Sequence, residues 1–301
     1  MPELPEVENV RRNLQSLVVG KEIKEVNVLY PKIITGDVDG FKHAVQGQKM
    51  VDIERVGKYL VFILEDVAFL SHLRMEGKYR YLPNLKAEGK PSLPRGETED
   101  ERYLNPEDKP LISGRHHSMD KHDHLVFTFS DGSCLSYNDV RKFGRLQLVD
   151  KENYCQELPL NHLGPEPWSA DVGQLYQKIH KSNQPIKSLL LEQHIIAGVG
   201  NIYANEICFQ MGLNPHTPGS KLSKKRVEEL IEVTKEILEQ SIALGGTTIH
   251  SFSSVGISGD YQQELKVHGQ KECSICGGEI RKEMIKGRGT YYCAHCQKKR
   301  R

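Results

Sequence analysis

The chain has 301 residues, of which 38% are hydrophobic and 27% are charged. At about 150 residues per domain this length predicts two domains, and the apolar share excludes a mostly disordered chain. No apolar run approaches the roughly 18 residues that a membrane span needs. The first residues include Glu3, Glu6 and Glu8, where a signal peptide would be basic and then apolar. We therefore expect a cytosolic protein.

The net charge of +1 excludes a strong global attraction to nucleic acid. Charge is nevertheless unevenly placed, because residues 264–301 contain ten Lys or Arg and four Glu. We therefore expect a contact with nucleic acid or another anion to involve this C-terminal end.

The first 150 residues are predicted to form a β-rich domain with one leading helix. The helix covers 5–19, because Pro5 suits its first position and Gly20 suits its C-terminal cap. Strands are predicted at 25–30, 49–56, 59–64, 68–74, 124–130 and 133–137. Residues 83–121 are polar and contain five prolines, and we expect them to form an inert surface insertion in this domain.

From Pro167 onward the apolar spacing is helical. Helices are predicted near 171–181, 186–196, 202–211 and 223–244. Gly198 and Gly200 form a short turn that ends at Asn201. Such a turn directs backbone N–H groups outward, which suits phosphate, although similar turns also simply join helices. Residues 252–263 are rich in Ser and Gly and are predicted to form a flexible loop.

Four of the seven cysteines have the spacing of a zinc ribbon. They form two C-x2-C pairs separated by sixteen residues, namely Cys273, Cys276, Cys293 and Cys296. Two disulfides are the alternative, but a cytosolic chain keeps its thiols reduced. A closed four-cysteine site is normally structural, so we expect one structural Zn2+ and no metal catalysis.

Pro2 is a candidate nucleophile. A small second residue allows Met1 to be removed, which would leave Pro2 with a free secondary amine. An α-amino group titrates near about 7.7–8.0, so part of it is neutral at physiological pH and can attack an electrophilic carbon. Glu3 and Glu6 stand close in sequence and could move protons. Acidic residues at a helix start also simply favour the helix dipole.

In combination, these features resemble those of the bacterial formamidopyrimidine-DNA glycosylases. The resemblance rests on the N-terminal run Met-Pro-Glu-Leu-Pro-Glu-Val-Glu, the turn at 198–201 and the zinc knuckles. Further segments match in the same order at 57–60, 71–75, 121–124, 139–144, 164–167, 263–267 and 287–290. The likeness covers nearly the whole chain apart from the insertion.

The resemblance implies an α+β, multidomain fold. Residues 1–150 would be an N-terminal β-sandwich catalytic domain with a leading helix, and 151–262 a helix–two-turn–helix DNA-binding domain with a lesion loop at 252–263. Residues 263–301 would be a four-Cys zinc-finger β-hairpin. We expect a monomer in the bacterial cytoplasm, associated with the nucleoid when it is bound to its partner, damaged double-stranded DNA.

The implied activity is base-excision DNA repair by a bifunctional glycosylase and lyase. Such an enzyme excises oxidised purines, chiefly 8-oxoguanine and formamidopyrimidines, and nicks the abasic site by β,δ-elimination. Pro2 would attack the sugar C1′ of a flipped-out nucleotide and form a Schiff-base intermediate. Glu3 would assist proton transfer with support from Glu6, while Lys58 and Arg288 would contact phosphates and support elimination. Either cation alone could also be a plain surface charge.

The resemblance also implies a set of DNA contacts. Met75, Arg141 and Phe143 match a wedge that fills the hole left by the flipped base, although composition alone would place Met75 and Phe143 in a core. The other implied contacts are His72, His122, Lys181, Asn183 and Asn201. For His122, a hydrogen-bonded turn histidine is the alternative. The family usually has a basic residue where Asn183 stands, so Lys181 could substitute for it.

Two alternatives remain at this point. The endonuclease VIII-like branch, which prefers oxidised pyrimidines, typically has Gly where this chain has Leu4. Leu4, the wedge residues and the 252–263 loop favour the purine branch. The second alternative is a non-catalytic zinc-ribbon DNA-binding protein, which would not need a free amine at Pro2.

Overall fold

The computed structural model describes residues 1–84, 120–247 and 259–298. Its N-terminal part contains two β-sheets that share one core. In chain order their strands are β1 Ile23–Val28, β2 Ile34–Thr35, β3 Met50–Val56, β4 Tyr59–Leu64, β5 Ala68–His72, β6 Lys78–Leu82, β7 Asp123–Phe129, β8 Cys134–Asn138 and β9 Arg145–Val149. One sheet has the strand order β1-β7-β8-β6 and the other has the order β2-β9-β5-β4-β3.

Aromatic side chains fill the space between the two sheets. Phe69 of β5 stacks on Phe62 of β4, with 4.6 Å between the ring centroids, and on Phe127 of the opposite sheet, at 5.6 Å. All three rings are fully buried. The predicted β-sandwich is therefore confirmed, and each of the six predicted strands lies within two residues of its observed bounds.

The helices are α1 Leu4–Val18, α2 Val38–Val45, α3 Val172–His180, α4 Ile186–Leu191, α5 Asn201–Gln210 and α6 Lys224–Ala243. α1 begins one residue before the predicted start, so Pro5 takes its second position, where the missing N–H is also tolerated. Helices α3 to α6 pack around a second apolar core that includes Tyr203 and Leu230. Among the described helices, none combines the length and apolar character needed to cross a membrane.

The predicted helix over 186–196 is too long. α4 ends at Leu191. Ile195 and Ile196 are buried and keep the apolar spacing of a helix, but they lie in a turn. Beyond α4 the backbone bonds to the segment at 164–165 instead of continuing the helix. The Gln193 carbonyl accepts from the N–H of residue 164 at 2.8 Å, and the N–H of residue 197 donates to the carbonyl of residue 165 at 3.0 Å. The Gln193 side chain also accepts from the N–H of residue 198 and donates to the carbonyl of residue 199. Burial periodicity therefore does not mark this helix end.

The sequence did not predict four of the observed elements, namely α2, β2, β6 and β9. α2 is short and depends on a cap, because the Asp37 carboxylate accepts hydrogen bonds from the N–H groups of Asp39 and Gly40. β6 and β9 pair along their lengths with β8 and β5. Their place in the sheets therefore follows from distant partners more than from local sequence.

Two of the predicted segments lie largely outside the described residues. These are 85–119 of the insertion and 252–258 of the loop. The rest of the loop, residues 259–263, packs against the helical part through Tyr261. Tyr261 is buried, and its ring centroid lies 5.9 Å from that of Tyr203.

The C-terminal part contains one antiparallel hairpin, made by β10 Ile280–Ile285 and β11 Arg288–Cys293. Its two-residue connection has positive φ at both positions, +46° at Lys286 and +75° at Gly287. This is the conformation of a type I′ turn, whose twist matches that of the paired strands. The predicted zinc-finger hairpin is therefore present in the fold.

Arg55 joins the sandwich to the segment that enters the helical part. Its guanidinium makes two hydrogen bonds to the Glu166 carboxylate, at 2.5 and 3.0 Å, and one to Glu8, at 3.1 Å. Burial opposes ionisation of Glu8, but hydrogen bonds from Arg11 and Arg12 outweigh it and lower its pKa to about 2. The Arg55 guanidinium therefore lies between two acidic groups in a largely buried site.

We predict that Arg55→Met lowers the free energy of unfolding by about 3 kcal/mol, because it leaves two mostly buried carboxylates without their shared partner. Urea unfolding would measure the loss. Arg12→Met is the matched control: Arg12 also bonds to Glu8 but is 55% exposed, so we expect a change below about 1 kcal/mol. Equal losses in the two variants would contradict a special role for Arg55.

Candidate active site

The N-terminal segment is held against the turn at residues 198–201. The Leu4 N–H donates to the carbonyl of Gly198 at 3.1 Å. Gly198 has φ +94°, and a Cβ built there would lie 2.3 Å from Leu4 Cδ1. Only glycine therefore allows both this backbone conformation and this approach.

Glu3 lies buried between this turn and the start of α5. Its Oε1 accepts a hydrogen bond from the Ile202 N–H at 2.9 Å, in the first turn of that helix. Its Oε2 is buried and has no hydrogen-bond partner within the described residues. A Cβ on Gly200 would lie 2.2 Å from the Glu3 carboxyl carbon, so the glycine makes room for this group. Pro2, also buried, is the adjacent residue.

The surroundings of Glu3 bring the pKa of its carboxyl group close to neutral pH. Burial raises the pKa of Glu3 to about 7, and the nearby Lys58 ammonium opposes that shift. Burial also lowers the pKa of Lys58, while Glu3 opposes the change. A carboxyl group with a pKa near the working pH and a free oxygen can both accept and donate a proton.

Glu6 has a different environment from Glu3. Its Oε1 accepts hydrogen bonds from the Tyr203 hydroxyl at 2.6 Å and from the N–H and hydroxyl of Thr247 at 2.8 and 2.9 Å. Its Oε2 accepts from the Glu3 N–H at 2.8 Å. With both oxygens engaged, the Glu6 side chain holds the Glu3 backbone in place.

Lys58 reaches the same turn from the β-sandwich. It lies in the two-residue connection between β3 and β4, where Gly57 has φ +58°. The Gly57 N–H donates to Glu166 at 2.7 Å, which fixes the connection. The Lys58 ammonium then donates to the Val199 carbonyl at 2.9 Å. Glu3, the neighbour of Pro2 in sequence, and Lys58 therefore both lie against the turn at residues 198–201.

Arg288 approaches from the C-terminal hairpin. It is the first residue of β11, directly after the type I′ turn, and its side chain is exposed. It lies close enough to Lys58 that its charge contributes to lowering the pKa of that lysine. The fourth predicted catalytic residue thus lies on the same side of the molecule as the other three.

Lys187 in α4 is a site residue that the sequence analysis did not identify. Its ammonium is fully buried and donates to Asn201 Oδ1 at 2.8 Å, to the Gly289 carbonyl at 2.9 Å and to the Thr290 hydroxyl at 2.8 Å. Burial lowers its pKa to about 8. Lysines of this kind look ordinary in a sequence, because two of the three partners of Lys187 lie about 100 residues further along the chain.

The four predicted metal ligands converge at the base of the hairpin. The ligand atoms of Cys273, Cys276, Cys293 and Cys296 all lie within 4.8 Å of one another. The Sγ atoms of Cys273 and Cys296 are 3.8 Å apart, and those of Cys276 and Cys293 are 3.6 Å apart. Four sulfurs at about 2.3 Å from a tetrahedral Zn2+ would be roughly 3.8 Å apart, so the residues fit a structural zinc.

The predicted wedge residues lie on two neighbouring loops. Phe143 is 49% exposed, and the Arg141 guanidinium lies 4.8 Å from its ring centroid. The structure therefore rejects the alternative that Phe143 is a core residue. Met75 is half-buried on the loop after β5.

Asp139 holds the Arg141–Phe143 loop in shape. Its buried carboxylate accepts hydrogen bonds from the N–H groups of Arg141, Phe143 and Gly144, at 3.0, 2.9 and 2.8 Å. The non-glycine residue Lys142 has φ +59° in this loop. Three backbone bonds to one carboxylate stabilise this otherwise unfavourable conformation.

The two predicted histidine contacts differ in their environments. His72 is buried, and burial lowers its pKa to about 3, so it is neutral at physiological pH. Its Nδ1 accepts from the Arg74 N–H at 2.9 Å, which places the ring proton on Nε2 as a possible donor. His122 is half-buried in a turn, and its backbone N–H donates to the Asp120 carboxylate at 2.8 Å.

The remaining predicted contacts flank the hairpin turn. Asn201 is the first residue of α5, and its side chain donates to the Gly289 carbonyl at 3.1 Å. Lys181 and Asn183 are exposed beyond the end of α3. Next to Asn183, the Gln184 side chain accepts a hydrogen bond of 2.7 Å from Lys286 of the turn. A cation of the hairpin therefore lies beside the position where the family usually has a basic residue.

A β-sandwich with a buried N-terminal carboxylate, a helical unit and a four-cysteine hairpin, in this order, define a class of multidomain DNA glycosylases. Three family models match the chain in that order. The formamidopyrimidine-DNA glycosylase N-terminal domain matches residues 1–146, the H2TH domain of the same enzyme matches 163–253, and the zinc finger found in FPG and IleRS matches 270–299.

Curated relatives share this length and order. The formamidopyrimidine-DNA glycosylase of Lactobacillus delbrueckii subsp. bulgaricus is 43% identical over 304 residues, and that of Listeria innocua is 39% identical, each covering 99% of this chain and 100% of the relative. The chain belongs to the formamidopyrimidine-DNA glycosylase family.

Solved structures agree with this assignment. Lactococcus lactis Fpg in complex with N7-benzyl-Fapy-dG DNA matches with a TM-score of 0.83 and 36% identity. The same protein in complex with abasic-site DNA matches with a TM-score of 0.83 and 35% identity. Each comparison covers 99% of this chain and 100% of the other. The zinc-finger match and the four-cysteine cluster together identify one structural Zn2+ site.

We predict that Glu3→Gln stabilises the protein at alkaline pH. Because burial raises the Glu3 pKa from 4.5 to about 7, its contribution to stability is fully present below pH 4.5 and is lost as pH rises through 7. The neutral amide avoids that loss, which is worth up to about 3 kcal/mol. Melting temperatures of both proteins should agree near pH 5 and diverge by pH 8, and a constant difference would contradict the assigned pKa.

We predict one zinc per chain, released by a strong chelator. Removal should unfold the hairpin, because a site of this kind supplies the folding free energy of a small ribbon. Atomic absorption would give the stoichiometry, and amide hydrogen exchange would report protection of β10 and β11 before and after chelation. Cys155→Ser is a suitable control because this exposed cysteine lies outside the cluster. Unchanged protection after zinc loss would contradict the prediction.

Proposed function

We propose that the chain is a base-excision DNA repair enzyme that excises oxidised purines from duplex DNA and then nicks the abasic site. Its substrates would be 8-oxoguanine and formamidopyrimidine lesions. Family membership supports the reaction class. The observation that carries the proposal is Glu3, a buried carboxyl group beside Pro2 with a pKa of about 7 and one oxygen that accepts no hydrogen bond from the described residues.

In the proposed reaction, Pro2 is the nucleophile once Met1 has been removed. Its amine attacks the sugar C1′, a C–N bond forms, and the bond from C1′ to the base breaks. The bonding electrons leave with the base, which takes up a proton. The attached nitrogen then loses its proton, and its lone pair forms the C1′=N bond as the C1′–O4′ bond breaks and O4′ takes up a proton. The product is an iminium ion, which remains cationic because the proline nitrogen has no further proton to lose.

Glu3 would move the protons of this sequence. Protonated, it can assist opening of the sugar ring, and ionised, it can accept a proton in a later step. Its position is fixed by the Ile202 N–H and by Glu6. Its Oε2, which accepts no hydrogen bond from the described residues, would be the group left for substrate. A pKa of about 7 makes both forms available near neutral pH.

The iminium ion would act as the electron sink for strand cleavage. It acidifies the neighbouring carbon, so loss of a proton from C2′ expels the 3′ phosphate by β-elimination. The conjugated iminium ion that results then allows loss of a second proton, from C4′, which expels the 5′ phosphate by δ-elimination. Lys58 and Arg288 would stabilise these phosphates as they leave. Asn201, Lys181 and Asn183, together with His72 and His122, are proposed to position the backbone of the duplex on either side of them.

The wedge would keep the duplex open while the damaged nucleotide is turned outward. Phe143, exposed and apolar, suits insertion between bases, and Arg141 suits a hydrogen bond to the partner base. Met75 would fill the remaining space. The proposal includes a monomer, because one chain supplies every group named above. It also places the enzyme's action in the cytoplasm.

We predict that borohydride traps a covalent complex between this protein and duplex DNA that contains 8-oxoguanine opposite cytosine. Reduction converts the iminium ion to a stable amine, so trapping detects the intermediate directly. Pro2→Gly should lose most of the trapped complex. Protein with an extended N-terminus, which blocks the amine without changing any side chain, should lose it as well, and mass spectrometry would verify Met1 removal in the active sample.

A matched duplex with dihydrouracil tests the substrate class. Stronger trapping on dihydrouracil would move the protein to the pyrimidine-specific branch. Absence of trapping on both duplexes, with Met1 shown to be removed, would overturn the catalytic proposal and leave a zinc-dependent DNA-binding protein.

A further inference from the structure

Lys187 presents a charge that the proposed reaction does not use. Its ammonium is fully buried, and each of its three hydrogens has an oxygen acceptor, at 2.8, 2.9 and 2.8 Å. Two acceptors belong to the C-terminal hairpin and one is the side chain of Asn201. The lysine therefore connects two separate parts of the chain from a third position, helix α4.

The geometry of this site requires the charged form of the lysine. The Thr290 hydroxyl donates its own hydrogen to the Arg288 carbonyl at 3.1 Å, so toward Lys187 it acts as an acceptor. Asn201 Oδ1 and the Gly289 carbonyl are acceptors as well. A neutral amine has only two N–H groups and would leave one of these three oxygens facing a lone pair. Burial disfavours the charge, and the three oxygens compensate for the lost water.

Lys187 joins Asn201, which is proposed to bind phosphate, to the two residues that follow Arg288. Asn201 begins α5, and its own amide donates to the same Gly289 carbonyl, so the three groups form a closed network. Arg288 is the residue immediately before Gly289. On the outside of the hairpin turn, Lys286 donates to Gln184 at 2.7 Å and provides a second contact between the same elements.

We propose that Lys187 is a positioning residue that locks the Arg288 turn to Asn201, so that the two bind neighbouring phosphates as one preformed unit. This inference rests on the proposed function. Lys187 itself has no exposed surface and would not touch DNA. It would act by removing the freedom of the hairpin to move relative to α5, which lowers the ordering cost of binding.

A double-mutant cycle tests this coupling. The probe is duplex DNA with a tetrahydrofuran abasic-site analogue, which reports binding without chemistry. We expect Lys187→Met to weaken binding by about tenfold, and Arg288→Ala to weaken it less in the Lys187→Met background than in wild type, by at least about threefold. Lys235→Met, which removes a half-buried lysine of α6 paired with Glu232, should leave the affinity within about twofold.

Further measurements separate positioning from general damage to the fold. Zinc content and melting temperature should show that Lys187→Met remains folded. If it does not fold, Thr290→Val removes one acceptor from the same network and should give the same non-additivity with Arg288→Ala. Full additivity in the variant that folds would overturn the proposal. A wild-type protein that fails to bind this DNA would instead overturn the proposed function, and this inference with it.

Discussion

The candidate site depends on one stretch of backbone, the turn at residues 198–201. Leu4 and Lys58 donate to its carbonyl groups from the N-terminal part, at 3.1 and 2.9 Å. Asn201, where the turn enters α5, bonds to the C-terminal hairpin. Two glycines make this possible, because side chains there would collide with Leu4 and Glu3. Three regions that are distant in sequence are therefore held together by hydrogen bonds to a single short segment.

The same junction concentrates charges that folding alone would not favour. Glu3, Lys58 and Lys187 are all buried, and the pKa of each is shifted toward its neutral form. Their charges also offset one another, since both lysines lower the cost of ionising the carboxyl group. Such groupings are common where a protein trades stability for chemistry. The apolar cores of the sandwich and of the helical part compensate for the stability lost by burying these charges.

The sequence predicted what depends on local pattern. The strand at 59–64, the cysteine spacing and the N-terminal motif all carry their meaning within a few residues. Interactions between distant residues were not predictable in this way. The role of Lys187 depends on a hairpin about 100 residues away, and the backbone beyond the end of α4 bonds to residues 164 and 165. Phe143 shows the same limit, since only the folded loop shows that it is exposed.

The loop that Asp139 holds has a thermodynamic consequence. An aromatic ring that is half in water and fixed in place is costly for the free protein, because its hydration is not relieved by folding. Stacking it within the proposed duplex would bury that apolar surface without first ordering the backbone. Association should therefore show a negative heat-capacity change from the ring with little loss of loop entropy. Part of the free energy of DNA binding would thus come from burying apolar surface that the free protein leaves exposed.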